Sequence, residues 1–224
     1  MTVIVGFVSQ KGGVGKSTLS RALGAIAATN DWDVRIADLD PDQGTTAKWN
    51  DRRKDRDIEP ELDVRRYEAT SEALKFADDL HLLIIDGPAR TSMGTLAIAN
   101  KSDVVVQPTN GHLDDLVPGV HVFNELVREG IAREKLRFAL CRIGTPAEEA
   151  RAREYLMEAG FDVLDGALYE KPAYGQAQDK GWAVTETRYD KLNDTADSLI
   201  ESLLDAVIKQ DEEKQGTTTK ASAA

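Results

Sequence analysis

A chain of 224 residues with 41% hydrophobic and 30% charged side chains can close a core of its own, which excludes a wholly disordered polymer. Its 28 basic against 39 acidic residues give a net charge of −11, so contact with nucleic acid or anionic lipid requires a local basic patch. The single cysteine, Cys141, excludes an internal disulfide and a multi-cysteine metal site.

The chain opens on an apolar β-branched run, Thr2–Ser9, with no basic leader before it. A cytoplasmic protein is therefore expected. Leu19, Ala22, Leu23, Ile26 and Ala27 then share one face of a helix. Further strands are expected at Val34–Asp38, Leu62–Tyr67, His81–Asp86, Asp103–Gln107 and Leu136–Arg142. Runs such as LLIID and DVVVQ are apolar on both faces, as in a buried parallel sheet. Leu116, Val120, Phe123 and Val127 line a second helix. Thr145, Pro146 and Glu148 form the start of a third, as a capping box. Leu192, Ala196, Leu199, Leu203 and Val207 line the last. Strand–helix alternation of this kind predicts an α/β fold, a doubly wound, mostly parallel sheet flanked by helices. One domain is expected over 1–210. Residues 211–224 are polar, small and without period, and read as a flexible tail. No run reaches the roughly 18 apolar residues of a membrane helix, and the tail has no apolar face to lie on a membrane.

The strongest chemical signal is Lys11-Gly12-Gly13-Val14-Gly15-Lys16-Ser17-Thr18, placed between a strand and a helix. Glycines let the backbone turn tightly and aim N–H groups at phosphate oxygens, and the helix start adds its positive dipole end. Lys16 is placed to reach the β- and γ-phosphates, and Ser17 to ligate Mg²⁺. Where the standard pattern has its first glycine, this chain has Gln10, followed by an extra lysine, Lys11. Asp38 and Asp86 end apolar strands, where carboxylates face a bound ligand, and both are candidate Mg²⁺ ligands with Ser17. Asp40 lies just beyond a strand end and is the candidate to orient an attacking water.

These motifs resemble the deviant Walker ATPases that include ParA and MinD, a P-loop NTPase family. KGGVGKST matches the family loop, and Lys11 stands where the family has its signature lysine. Asp38-Leu39-Asp40-Pro41-Asp42-Gln43 resembles the second motif with Asp42 inserted. His81 to Pro88 resembles the Walker B strand, and VVVQPT the strand ending in Pro-Thr. The resemblance covers about residues 1–205. It implies ATP/ADP and Mg²⁺ as cofactors and a weak Mg-dependent ATPase stimulated by a partner. It also implies an ATP-dependent homodimer in which Lys11 reaches the partner subunit's phosphates. Thr45 and Thr46 would lie in a first switch segment, and Gly87, Pro88 and Ala89 in a second. Arg142 would approach the adenine, although Cys141 stands where relatives often have Asn.

The short ParA type is the expected member: a switch that partitions DNA with a centromere-binding protein, binds nonspecific DNA when ATP-bound and associates with the nucleoid. The basic residues considered for that contact are Arg133, Lys135, Arg137, Arg142, Arg151 and Arg153, with Lys171, Lys180, Arg188 and Lys191. Alternatives are a positioning ATPase for a non-DNA cargo, a MinD-like cell-division regulator, and a metabolic ATP-dependent ligase of the same fold. Arg52, Arg53, Lys54 and Arg56 alternate with acids and read as a solvated helix face. Trp32, Trp49 and Trp182 read as packing residues, Cys141 as a buried small hydrophobe, and His81, His112 and His121 as structural or surface groups.

Overall fold

A computed structural model describes residues 1–40, 43–88 and 92–221. Its central strands are β1 (Val3–Phe7), β2 (Val34–Asp38), β3 (Asp63–Arg66), β4 (Leu82–Asp86), β5 (Val104–Thr109) and β6 (Leu136–Ile143), with short β7 (Asp162–Val163) and β8 (Leu168–Tyr169). The order is β3-β2-β4-β1-β5-β6-β7, with β8 beside β6, and every pairing is parallel. Helices α1 (Lys16–Thr29), α2 (Thr45–Lys54), α3 (Thr70–Leu74), α4 (Ser92–Lys101), α5 (Leu113–Arg128), α6 (Pro146–Glu158), α7 (Pro172–Gln178) and α8 (Asp190–Ala221) cover the sheet.

Alternation along β4 shows why two layers of helix are needed. Leu82 and Ile84 point into one apolar cluster, with Leu19, Leu23, Trp49, Leu199 and Leu203. Leu83 and Ile85 point into the other, with Leu116, Phe123, Phe138 and Leu156. All four are fully buried, so β4 carries apolar side chains on both faces. In α1, Gly24 lets the helix lie close on β2: a Cβ there would sit 2.6 Å from Ile36 Cδ1. The apolar face expected on α8 is buried at Ala196, Leu199, Leu203 and Val207.

Three local readings shift. The Thr145 cap accepts from Glu148 N at 3.2 Å, but the return bond runs from Gly144 N to Glu148 Oε2 at 2.9 Å, one residue earlier than in a standard capping box. The α5 stripe centres on Leu116, Val122, Phe123 and Leu126, leaving Val120 and Val127 at its edges. The segment read as a tail from residue 211 continues α8 as far as Ala221. Extending an existing helix costs far less than nucleating one. Lys214 also donates to Thr2 O at 2.8 Å and pairs with Asp103 at 2.6 Å.

Candidate nucleotide site

Sheet register brings the motifs together. Asp86 is level with Asp38 across the β2–β4 pair and with Phe7 across the β1–β4 pair. Both carboxylates therefore end side by side at the carboxyl edge, next to the loop that leaves β1. This is where open α/β sheets bind ligands. Gly13 has φ +75° and Gly15 φ +118°, a left-handed backbone that glycine adopts without strain. A Cβ at Gly12 or Gly13 would meet nothing within 4 Å, so the loop borders open space of its own making. That space is a hollow of about 280 Å³, lined by Gly12, Gly13, Lys16, Ser17, Asp40 and Asp86 among others.

Lys16 is the first residue of α1 and is buried, with Nζ 3.4 Å from Lys11 O. Burial lowers its pKa, while Asp86 and Asp40 pull it upward. Asp86 is 3% exposed. Its Oδ2 accepts from the Thr46 hydroxyl at 2.6 Å, and its Oδ1 is buried without a hydrogen-bond partner. Burial raises the Asp86 pKa, against the lowering effect of the neighbouring Thr46 and Ser17 hydroxyls. An orphaned buried carboxylate oxygen beside a serine hydroxyl fits a hard divalent cation.

Asp38 is engaged differently. Its Oδ2 accepts from Thr46 N and Ala47 N, both at 3.0 Å, and its Oδ1 accepts from Asp40 N at 3.0 Å. Thr46 N and Ala47 N belong to the free first-turn amides of α2, whose N-cap, Gly44, has no side chain to satisfy them. Asp38 thus caps α2 from a neighbouring strand and fixes the start of that helix to the sheet edge. Asp40 Oδ1 accepts from Gln43 N at 2.9 Å, on the rim of the phosphate hollow. Pro41, Asp42 and Ala89 lie outside the described residues.

Val14 is buried behind the loop, and the Thr18 hydroxyl is 3.2 Å from Gln178 Oε1. Beyond Gly13, Gly15 and Thr18 lies a second hollow of about 310 Å³, bounded by Cys141, Arg142, Leu168, Tyr174 and Gln178 among others. It shares those three loop residues with the first hollow. Cys141 is buried, and burial pushes its thiol up to about 12. Its Sγ would stand 3.2 Å from a Cβ at Gly15, which makes the small thiol a packing group against the loop. Arg142 has φ +57°, approaches Gly13 O at 3.4 Å and pairs with Glu170 at 3.0 Å.

Lys11 is largely exposed, yet its ammonium pairs with Asp115 of α5 in the same chain. Sequence reasoning missed Asp115 because no local spacing joins it to Lys11. It also missed Arg21 and Gln178. Arg21 lies one helical turn after Ser17 on a face otherwise apolar, and that conflict was the available signal. The reading of Arg53 as solvated is overturned: it is 1% exposed. Arg53 makes two bonds to Glu186, at 2.7 and 2.8 Å, and lies 5.7 Å from the Trp49 ring centroid. Trp49 at i−4 is what draws it inward. Trp49 is fully buried, whereas Trp182 is 38% exposed.

Five of the basic residues considered for DNA have partners within the fold, while Arg151, Lys171 and Lys191 are exposed. Arg133, Lys135 and Arg153 donate to backbone carbonyls, and Arg137 and Arg142 pair with Asp162 and Glu170. Lys180 and Arg188 line one hollow of about 460 Å³ with Trp182 and Tyr189, and Arg52 reaches Gln178 O nearby.

Residues 5–212 match the CobQ/CobB/MinD/ParA nucleotide binding domain family. No curated protein matches the chain. The fold is similar to that of the MinD cell division protein of Aquifex aeolicus, with a TM-score of 0.72 at 16% identity, covering 91% of this chain and 97% of that one. It is similar to the septum site-determining protein MinD of Pyrococcus horikoshii in complex with Mg-ADP, with a TM-score of 0.70 at 18% identity over 91% and 96% of the chains. It is also similar to a putative plasmid partition protein of Borrelia burgdorferi bound to AMPPNP, with a TM-score of 0.68 at 16% identity over 94% and 100%.

Proposed function

Because the chain belongs to the CobQ/CobB/MinD/ParA nucleotide-binding family, we propose that it is a Mg²⁺·ATP-dependent dimerising switch that partitions DNA. The observation that carries the switch reading is the convergence of Lys16, Ser17, Asp40 and Asp86 on one hollow floored by the loop glycines.

Each step follows from these residues. The loop amides and Lys16 bind the phosphates, aided by the N-terminal dipole of α1. Ser17 and Asp86 are the residues that would hold Mg²⁺, which neutralises charge between the phosphates when bound. Asp38 keeps α2 in place, so that Thr46 presents its hydroxyl to Asp86. Asp40, at the hollow's rim, orients a water toward the γ-phosphate.

Dimerisation is supported by the surface around Lys11. Leu113, Val117 and Met93 are 61%, 48% and 83% exposed. Leu113 and Val117 belong to α5, the helix of Asp115, and Met93 lines a hollow with Gln10. Apolar groups exposed beside a phosphate site suit burial against a second subunit. In that dimer Lys11 leaves Asp115 and reaches the partner's ATP.

The DNA cargo is supported by the likeness to the Borrelia burgdorferi protein described as a plasmid partition protein and by the Lys180–Arg188 hollow with Arg52 beside it. Its test is binding to nonspecific duplex DNA with Mg²⁺·ATP, with Mg²⁺·ADP and without nucleotide, over a salt series. Binding confined to the ATP state, weakening steeply with salt and lost in Arg188→Glu, supports partition. No binding in any state removes the DNA cargo and leaves a positioning ATPase for another load.

A further inference from the structure

Arg21 is buried at 5% exposure, one turn into α1 beyond Ser17, and it borders the phosphate hollow. Its Nε donates to Thr46 Oγ1 at 3.2 Å and its Nη1 to Gln178 Oε1 at 3.1 Å. Its guanidinium carbon lies 5.4 Å from the Trp49 ring centroid. Its Nη2 is buried without a hydrogen-bond partner. Thr46, which accepts this bond, donates its own hydroxyl hydrogen bond to Asp86 Oδ2. The chain Gln178–Arg21–Thr46–Asp86 therefore joins α7, α1, α2 and β4 through side chains alone.

The charges around it explain why an arginine is tolerated there. Asp38 and Asp86 are 1% and 3% exposed, and two carboxylates side by side under a sheet edge repel each other. Among the described residues the buried cation that interacts with both carboxylates is Arg21, while buried Lys16 interacts with Asp86 and Asp40. Lys16 is committed to phosphate when nucleotide binds. Arg21 stays in α1, and Gln178 and Thr46 fix its position.

We propose that Arg21 is a positioning residue, a resident counter-cation that balances the Asp38–Asp86 pair before the metal arrives and holds the α2 switch helix in its metal-free place. It acts through Thr46 and touches no reacting atom. The proposal rests on the reading that Ser17 and Asp86 take Mg²⁺. It predicts that removing Arg21 makes the fold lean on Mg²⁺.

The test is thermal unfolding of the full chain and of Arg21→Leu, in EDTA, in Mg²⁺ alone and in Mg²⁺·ADP, with tryptophan fluorescence recorded alongside. In EDTA the variant is expected to melt about 5 °C or more below wild type. Mg²⁺·ADP should close most of that gap, so its stabilising shift is larger in the variant than in wild type. Adding Asp86→Asn to Arg21→Leu should recover stability in EDTA, because the uncompensated carboxylate is then gone. A purely structural role would lower every melting temperature by the same amount. Equal Mg²⁺·ADP shifts in variant and wild type, or no recovery in the double variant, would overturn the proposal. If wild type itself shows no Mg²⁺·ADP shift, the metal-site reading fails instead, and the two failures are distinguishable. Should Arg21→Leu not fold, Arg21→Lys keeps the charge without the fork. It is then expected to need less Mg²⁺ than Arg21→Gln for equal stability, and the reverse order overturns the proposal.

Discussion

Replacing Glu186 with Ala tests the link between helix α2 and the body of the protein. The carboxylate holds Arg53 through two bonds of 2.7 and 2.8 Å and also accepts from Ala183 N at 2.7 Å. Without it, the Arg53 guanidinium keeps only Pro60 O at 3.1 Å and Gly181 O at 3.3 Å. Deleting one partner of a buried pair costs about 3–5 kcal/mol. Here the side chains are 1% and 18% exposed, so water can enter from the Glu186 side, and two carbonyls remain. The loss is therefore set lower, at about 2–3 kcal/mol. For a chain of this size that is a fall in melting temperature of about 5–10 °C. Urea unfolding followed by tryptophan fluorescence reads it, since Trp49 lies against Arg53. The double variant Arg53→Met, Glu186→Met should recover part of the loss, because the unpaired buried charge is gone while Ala183 N, Pro60 O and Gly181 O lose their side-chain partners. A loss below about 0.5 kcal/mol in Glu186→Ala, the level of an ordinary exposed ion pair, would refute the reasoning.

Four further outcomes follow from the site. Lys16→Ala should weaken ATP binding by about tenfold to a hundredfold or more in a fluorescent-nucleotide titration, since a charge-assisted bond to phosphate is lost; unchanged affinity would contradict its role. Asp40→Ala should bind ATP normally while hydrolysis falls by about 10²-fold or more in a phosphate-release assay, and normal turnover would remove the water-orienting role. Asp115→Asn should free Lys11 and lower the protein concentration at which ATP produces dimers, measured by sedimentation; a raised concentration would show that Asp115 supports the dimer rather than restrains it. With its thiol pushed up to about 12 and buried, Cys141 holds about one part in 10⁴ thiolate at pH 8, so a maleimide should label it only after unfolding. Rapid labelling of the folded protein would place that residue elsewhere.

Much of the site was legible because its residues sit at the ends of apolar runs. Asp38 and Asp86 follow VRIA and LLII directly, and the glycine loop follows the first strand, so strand recognition alone places them on one edge. What stayed hidden depends on pairs far apart in sequence. Helix α2 has the sequence TTAKWNDRRK, which has no apolar stripe, and it buries Thr46, Asn50 and Arg53 with Trp49. Its existence comes from the Asp38 cap and its burial from Glu186, neither of which local periodicity reports. The carbonyl and acidic partners of Arg133, Arg153 and Arg137, at Gly160, Leu164 and Asp162, are likewise not marked by spacing. Strands β7 and β8 have two residues each, too short for any pattern.

The central claim is that ATP joins two copies of this chain through the loop that holds Lys11. Sedimentation velocity of the full chain, with Mg²⁺ and a non-hydrolysable ATP analogue and then with Mg²⁺·ADP, tests it most directly. The account predicts a dimer with the analogue and a monomer with ADP, and a monomer in both for Lys11→Ala. A chain that saturates with the analogue and stays monomeric, or a dimer indifferent to nucleotide and to Lys11, would contradict it.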